Sequence, residues 1–443
     1  MSGQPVGATS RDGQPAPGRP VLVVGFVGVT LAAIGTFQPD DSVIYIEEPD
    51  VVRKRHVREA LEKVPFAREL IEWEYHLEGR ADEFYLAHRD LDPLAVVPAI
   101  EYATPFAARL AERYGLPGAT LGAARILRDK ALLRQVSAAA GIANPASVRV
   151  RDAEEVREFL ARGTGPIVLK PANRQASVGT QVIHHAAEVE SAWSACLAQD
   201  EGVFVPDRPI ELSMLAEEYV AGEEFSVEML VRAGGALFVN VTGKQLVPGA
   251  RPVELAHIVP ADIPGELATL LGRQTAQVVE AVGFRDGIVH CEWIVSHGVP
   301  HLVECAGRLA GDGIVDIIEL AYPVELLRCY YAVMQGRELP GELPRQAAGG
   351  AAVRFLTTEP GVVEGVRGLE EARRAAGVVL VDVALAPGDS FAGLRSSWDR
   401  VGIVMVTADS PAEALRRAEA AAGLVRIDLR APLTGTGTEI PGR

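Results

Sequence analysis

The chain has 443 residues, 48% of them hydrophobic and 23% charged, with a formal net charge of −16. That length is enough to bury a sizeable core in about two to four domains. The acidic balance sets aside nucleic acid and anionic membrane surfaces as partners, but not a locally basic pocket for a phosphorylated ligand.

Residues 1–19 are rich in Gly, Pro, Ser, Gln and Arg with almost nothing to bury, and are expected to be a disordered tail. The apolar run 21–37 is shorter than the roughly 20 residues that span a bilayer. Small residues near Ala32-Ala33 keep a signal-peptide segment open. The preferred reading is a βαβ opening: strand 21–24, a turn over Gly25 to Gly28, a helix from Val29, and a strand ending at Glu47-Glu48. The glycines of GFVG lack a third partner at the spacing of a dinucleotide fingerprint. Charged helical stretches at 53–74 and 105–114 flank a short strand at 95–98, completing an N-terminal α/β domain over 20–118.

A helix is expected over 121–140 with Asp129-Lys130 inside it and Gly141 as its stop. Strands follow at 147–150, 166–170, 181–184, 214–220, 225–231 and 235–240, then two apolar runs at 287–295 and 300–305, and a helix at 315–330. After a Pro/Gly/Ala linker at 340–350, short strands and a helix at 411–422 read as a separate α+β lobe, 346–443. Cys196, Cys291, Cys305 and Cys329 show no CxxC spacing and read as free thiols of a reducing, cytoplasmic compartment.

The two runs around the His297-Gly298 turn read as a hairpin, each carrying one acid, Glu292 and Glu304. A carboxylate within an apolar strand is costly unless a cation compensates it. Two facing carboxylates with Arg308 just beyond suit Mg²⁺ and phosphate; two solvent-facing acids on an edge remain the alternative. Lys170 ends the strand PIVLK, before the loop Asn173–Thr180, whose Ser177 and Gly179 suit backbone amides aimed at phosphate, or a plain turn. In LAEEYVAGEEFSVE (215–228), Glu217 to Val220 (Glu217, Glu218, Tyr219, Val220) could offer backbone groups to adenine and Glu224 could accept from ribose hydroxyls; an exposed acidic hairpin is the alternative.

Taken in order from about 119 to 345, these clusters resemble the ATP-grasp superfamily. The resemblance implies an ATP-grasp fold, α/β and α+β multidomain, with an N-terminal βαβ pre-ATP-grasp domain, an ATP-grasp domain at 119–345 and the C-terminal α+β lobe. It makes Lys130 and Lys170 phosphate-contacting lysines, Ser177, Val178 and Gly179 the flexible phosphate loop, and 217–224 the adenine-and-ribose hinge. Glu292 and Glu304 become Mg²⁺ ligands, with Mn²⁺ as a substitute metal, and Arg308 sits beside the transferred phosphate. Lys244, the segment from Pro252 to Pro260 with Glu254 and His257, and the C-terminal stretch 387–421 resemble the carboxylate–amine ligases that include the L-amino acid (dipeptide) ligases. One departure is Ala306, where the family usually has a metal-holding Asn; Asp312 is the nearby carboxylate. The activity implied is ATP-dependent, ADP-forming ligation of a small-molecule carboxylate to an amine, with Arg308 and His257 at the reacting groups and a homodimer as the assembly. A carrier-protein substrate, a non-catalytic ATP-binding regulator and a biotin-type carboxylase are the other readings; the C-terminal stretch disfavours the last.

Overall fold

The computed structural model describes residues 18–198, 201–247 and 253–430. The tail expected before residue 18 and Pro252 lie outside the described residues.

A parallel four-stranded sheet, ordered Ala67–Glu72, Val43–Glu47, Val21–Val24, Ala95–Pro98, opens the fold. The strands Val43–Glu47, Val21–Val24 and Ala95–Pro98 are almost wholly apolar and buried along their length, as strands covered on both faces must be. The edge strand Ala67–Glu72 (ARELIE) corrects the helical stretch expected at 53–74. Its charges suit an edge, where alternate side chains meet solvent. Two short helices, Pro49–Lys54 and Val57–Leu61, separated by His56 in the left-handed region, occupy the rest of that stretch.

The expected helix 121–140 is two. Asp129 is extended (φ −121°, ψ 101°), and its carboxylate accepts from the amides of Ala131 and Leu132, ending Leu121–Arg128 and capping Lys130–Ala139. Lys130 therefore starts a helix rather than sitting within one. The helix expected at 315–330 also divides, into Ile314–Ala321 and Leu326–Met334, with Pro323 between them.

A four-stranded antiparallel sheet, Ser147–Val150, Met214–Glu218, Ile167–Pro171, Gln181–Ile183, carries the lysine of VLKP. The largest sheet is antiparallel and eight-stranded: Val299–Ala306, Gly287–Ser296, Glu223–Arg232, Gly235–Leu246, Glu254–Val259, Gly350–Leu356, Gly402–Ala408, Val378–Val383. Its last three strands come from the C-terminal lobe. Gly350–Leu356 pairs with Glu254–Val259, so one sheet runs across the boundary drawn at 346. A three-stranded sheet of Ser390–Phe391, Gly361–Arg367 and Arg426–Arg430 completes the lobe.

The carboxyl ends of the parallel strands hold Glu47, fully buried, whose Oε1 accepts from the Glu48 amide and the Tyr75 hydroxyl, both at 2.8 Å. Its Oε2 has no partner, and burial pushes the carboxyl from 4.5 up to about 7 against the pull of those bonds and of Arg55. The folded state then keeps a proton that the unfolded chain releases between pH 4.5 and 7, so this group's contribution to stability falls as pH rises through that window. Glu47→Gln lacks the term. Its stability relative to the parent should rise by about 3 kcal/mol between pH 4.5 and 7.5 in urea unfolding; a flat difference would contradict this account of Glu47.

Candidate active site

The turn at His297 and Gly298 has positive φ at both positions (48° and 79°), which suits a two-residue hairpin. It sets Glu292 directly opposite Glu304. Parity does the rest: Cys291 and Trp293 are fully buried on the core face, while His290 and Glu292 line the other. Glu292 pairs with Ser226 and Ser226 with Thr242, so a polar stripe crosses four strands.

Cations hold the acids in place. Lys130 Nζ lies 2.8 Å from Glu304 Oε2 and donates to the Arg174 carbonyl. Lys244 ion-pairs with Glu292 Oε1, which His290 Nε2 also approaches at 3.3 Å. Burial opposes ionisation of Glu292, but Lys244 and His290 outweigh it and hold the carboxyl well below its usual range. Burial likewise works against a charged His290; hydrogen bonds to Glu228 and Glu292 overcome it and raise the imidazole to about 9. Glu228 is braced by His290 Nδ1 at 2.9 Å, Ser226 at 2.7 Å, Thr242 at 2.6 Å and Asn240 at 2.9 Å.

A second knot joins the smaller sheet to the hairpin. Glu217, expected to present backbone, has its side chain buried between Lys170 Nζ (2.5 Å) and Arg134 Nε (2.8 Å), and Arg134 also donates to the Val303 carbonyl. Burial lowers the Lys170 ammonium despite Glu217, with Arg134 and Lys130 adding repulsion. Glu218, Tyr219 and Val220 line the same cleft; the amides of Glu218 and Tyr219 bond to the carbonyls of Ala146 and Pro166. A Cβ on Gly222 would collide with the Val295 carbonyl, so only glycine lets this hinge approach the hairpin so closely. Glu224 is pushed to about 7, chiefly by burial, with Lys244 pulling the other way and Glu292 and Glu254 adding to the rise.

Ser177 and Val178 line the cleft from the loop, which turns through Ala176, Ser177 and Gly179 at positive φ. Arg308, His257 and Glu254 line the same cleft. Arg308 Nη2 meets Glu101 Oε2 at 3.0 Å, and Arg128 holds the other oxygen at 2.7 Å. Burial opposes the charge of Glu101, but Arg128 and Arg308 bring it down to about 2. His257 Nε2 lies 3.3 Å from Asp312 Oδ2, and its buried Nδ1 has no partner. Asp312, considered from the sequence as a metal donor, ion-pairs with Arg400, while Glu254 accepts from Ser397 Oγ at 2.6 Å. All these groups border one cleft or brace its walls; the cleft measures about 650 Å³.

Sequence reading missed Arg134, Glu101, Glu228, His290, Arg400 and Ser397. His290 and Glu228 were within reach by strand parity, each two residues from a polar cleft residue. The others come from distant segments, and no local pattern announces them.

An ATP-grasp domain matches residues 164–316, and the L-amino acid ligase C-terminal domain 2 matches residues 354–430. The chain carries an ATP-grasp domain and an L-amino acid ligase C-terminal domain. It is 28% identical over 302 residues to dapdiamide A synthase of Enterobacter agglomerans, covering 66% of this chain and 69% of that protein. To the alanine–anticapsin ligase of Bacillus subtilis strain 168 it is 24% identical over 241 residues, 51% of each. The crystal structure of an L-amino acid ligase from Bacillus licheniformis superposes with a TM-score of 0.76 at 17% identity, covering 94% of this chain and 99% of that one, and the two share the ATP-grasp fold. Among the described residues no helix is long and apolar enough to cross a membrane.

ATP-grasp enzymes use ATP, with Mg²⁺ typical of the family. Two carboxylates facing across a hairpin are the hard oxygen donors Mg²⁺ takes together with phosphates and water. The ion pairs engage one oxygen of each, Oε1 of Glu292 and Oε2 of Glu304. Among the described residues no cluster of three or more His, Cys, Asp and Glu is arranged to hold a metal. Ala306, buried opposite His290, adds no donor. The donor set therefore fits a cation that keeps several waters.

Replacing Arg134 by Met leaves a buried carboxylate with half of its compensation and unties the Val303 carbonyl. Breaking such a pair from one side costs about 3–5 kcal/mol. Urea unfolding of Arg134→Met should show that loss, and a change below about 1 kcal/mol would mean the pair is dispensable.

Proposed function

We propose that the cleft binds Mg²⁺-ATP and joins the carboxylate of one small molecule, an amino acid, to the amine of another, forming a dipeptide-type amide with release of ADP and phosphate. The observation that carries this reading is the pairing of Glu292 with Glu304 in a cleft that Arg308 and His257 also line. The ligase names of its relatives and the matched C-terminal domain support the same chemistry.

The backbone of Glu218 and Val220 would meet adenine and Glu224 the ribose hydroxyls. Lys130 and Lys170 would offset phosphate charge, and the Ser177–Gly179 loop would close over the nucleotide to exclude water. Mg²⁺, held by Glu292 and Glu304, would supply charge neutralisation at the β- and γ-phosphates. A substrate carboxylate oxygen attacks the γ-phosphorus, the bond to the β,γ-bridging oxygen breaks, and ADP leaves. Arg308 holds the migrating phosphoryl group; its pairing with Glu101 fixes its direction. The amine nitrogen then attacks the acylphosphate carbonyl, the carbon–oxygen bond to phosphate breaks, and phosphate departs. The amine must also lose a proton. His257, on the cleft wall with Nε2 3.3 Å from Asp312 Oδ2, would orient the acylphosphate, and the departing phosphate can take the proton. The four cysteines are free and buried, which suits work in a reducing cytoplasm.

Ala306 favours one second reading, a nucleotide-binding regulator without turnover. ADP release with Mg²⁺-ATP and pairs of amino acids separates the two. The ligase reading expects release that needs both a carboxylate and an amine and falls at least about 100-fold in Glu304→Ala. ATP bound without ADP release with every pair would favour the regulator.

A further inference from the structure

Past Arg308 the cleft enters a lobe at the carboxyl edge of the parallel sheet. Phe26, Ile34, Tyr45, Val97, Leu327 and Tyr331 line it. Each of the six is buried, and none is charged. Over the mouth, Phe204 stacks on Trp398 with ring centroids 4.3 Å apart, and the Arg55 guanidinium lies 4.6 Å from the Phe204 ring. A group entering this lobe leaves water behind.

The wall also contains an orphan. The Tyr45 hydroxyl is buried and has no hydrogen-bond partner. It offers an incoming group no accessible polar partner, so the lining is apolar in effect.

From this lobe, and resting on the ligase reading above, we propose that the enzyme takes an amino acid with a large apolar side chain, aliphatic or aromatic, whose side chain fills the space between Ile34, Tyr45, Leu327 and Tyr331. Physical exclusion works in both directions. A basic side chain would be buried there without a counter-ion, and an acidic one would meet only the Arg55 guanidinium, already stacked on Phe204 and bonded to the Phe26 carbonyl. A hydrogen or methyl would leave the wall atoms without partners and forgo their dispersion contacts.

The test uses the full chain with Mg²⁺-ATP and measures ADP release for glycine, alanine, leucine, methionine, phenylalanine, aspartate and arginine, each offered with every other. The same amino acids are titrated calorimetrically into the protein held with Mg²⁺-ADP. Leucine, methionine or phenylalanine should exceed alanine in kcat/KM by more than about tenfold, with the charged residues below alanine. Ile34→Phe, placed on the short helix Leu31–Gly35 at the lobe's edge, should cut that preference about tenfold while leaving ATP affinity unchanged. Equal or better use of glycine, alanine or a charged residue overturns the proposal. If no pair turns over but the titrations still rank large apolar residues first, the ligase reading fails and the lobe assignment stands. If the titrations show no such ranking either, both fall. The parent protein's own ranking decides the matter should Ile34→Phe not fold.

Discussion

Two carboxylates set opposite one another on neighbouring strands repel, and burial raises the cost of keeping both ionised. Glu292 and Glu304 are placed in this way by a two-residue turn and a strict strand register. Lys244 and His290 answer the first acid and Lys130 the second. Each compensating cation has its own origin: the next strand but one in the sheet, the same strand two residues earlier, and the first residue of a helix capped by Asp129. The hairpin's electrostatics therefore fix where several other elements must sit.

The same logic spreads outward. Glu228 and Glu292 favour the charged form of His290, and His290 in turn, with Thr242 and Ser226, lowers the Glu228 carboxyl against its burial. Arg134 and Lys170 share Glu217 and bind the smaller sheet to the hairpin. Arg308 is aimed by Glu101 from the segment after the parallel sheet's fourth strand, and Asp312 is held by Arg400 from the C-terminal lobe. A ligand arriving in the cleft meets Lys130, Lys170, Lys244, Glu292, Glu304 and Arg308, each already held by a partner of opposite charge. Such pre-organisation is what phosphoryl transfer needs, since the protein contributes positioning and charge more than covalent chemistry.

What could be read from the chain follows from where the physics is local. The hairpin, with its turn residues, apolar parity and isolated acids, was legible. So were Lys170 at a strand end and the acidic hinge, because a strand's period of two assigns faces without further information. Asp129 reads as a helix interior residue although an Asp before an apolar run is a cap signal; the flanking residues are good helix formers on both sides and hide the break. The strand Ala67–Glu72 is hidden by its charges, which its edge position permits. Glu101, Arg134 and Arg400 were out of reach, because their roles exist only through partners 207, 83 and 88 residues away.

The central claim is that a substrate carboxylate is phosphorylated before an amine attacks it. Substrate amino acids labelled with ¹⁸O in the carboxylate, turned over with Mg²⁺-ATP, test it most directly. The account predicts one ¹⁸O in the released inorganic phosphate for each amide formed, and none in ADP. Amide formation with unlabelled phosphate would contradict an acylphosphate, and with it the roles of Glu292, Glu304 and Arg308 in forming one.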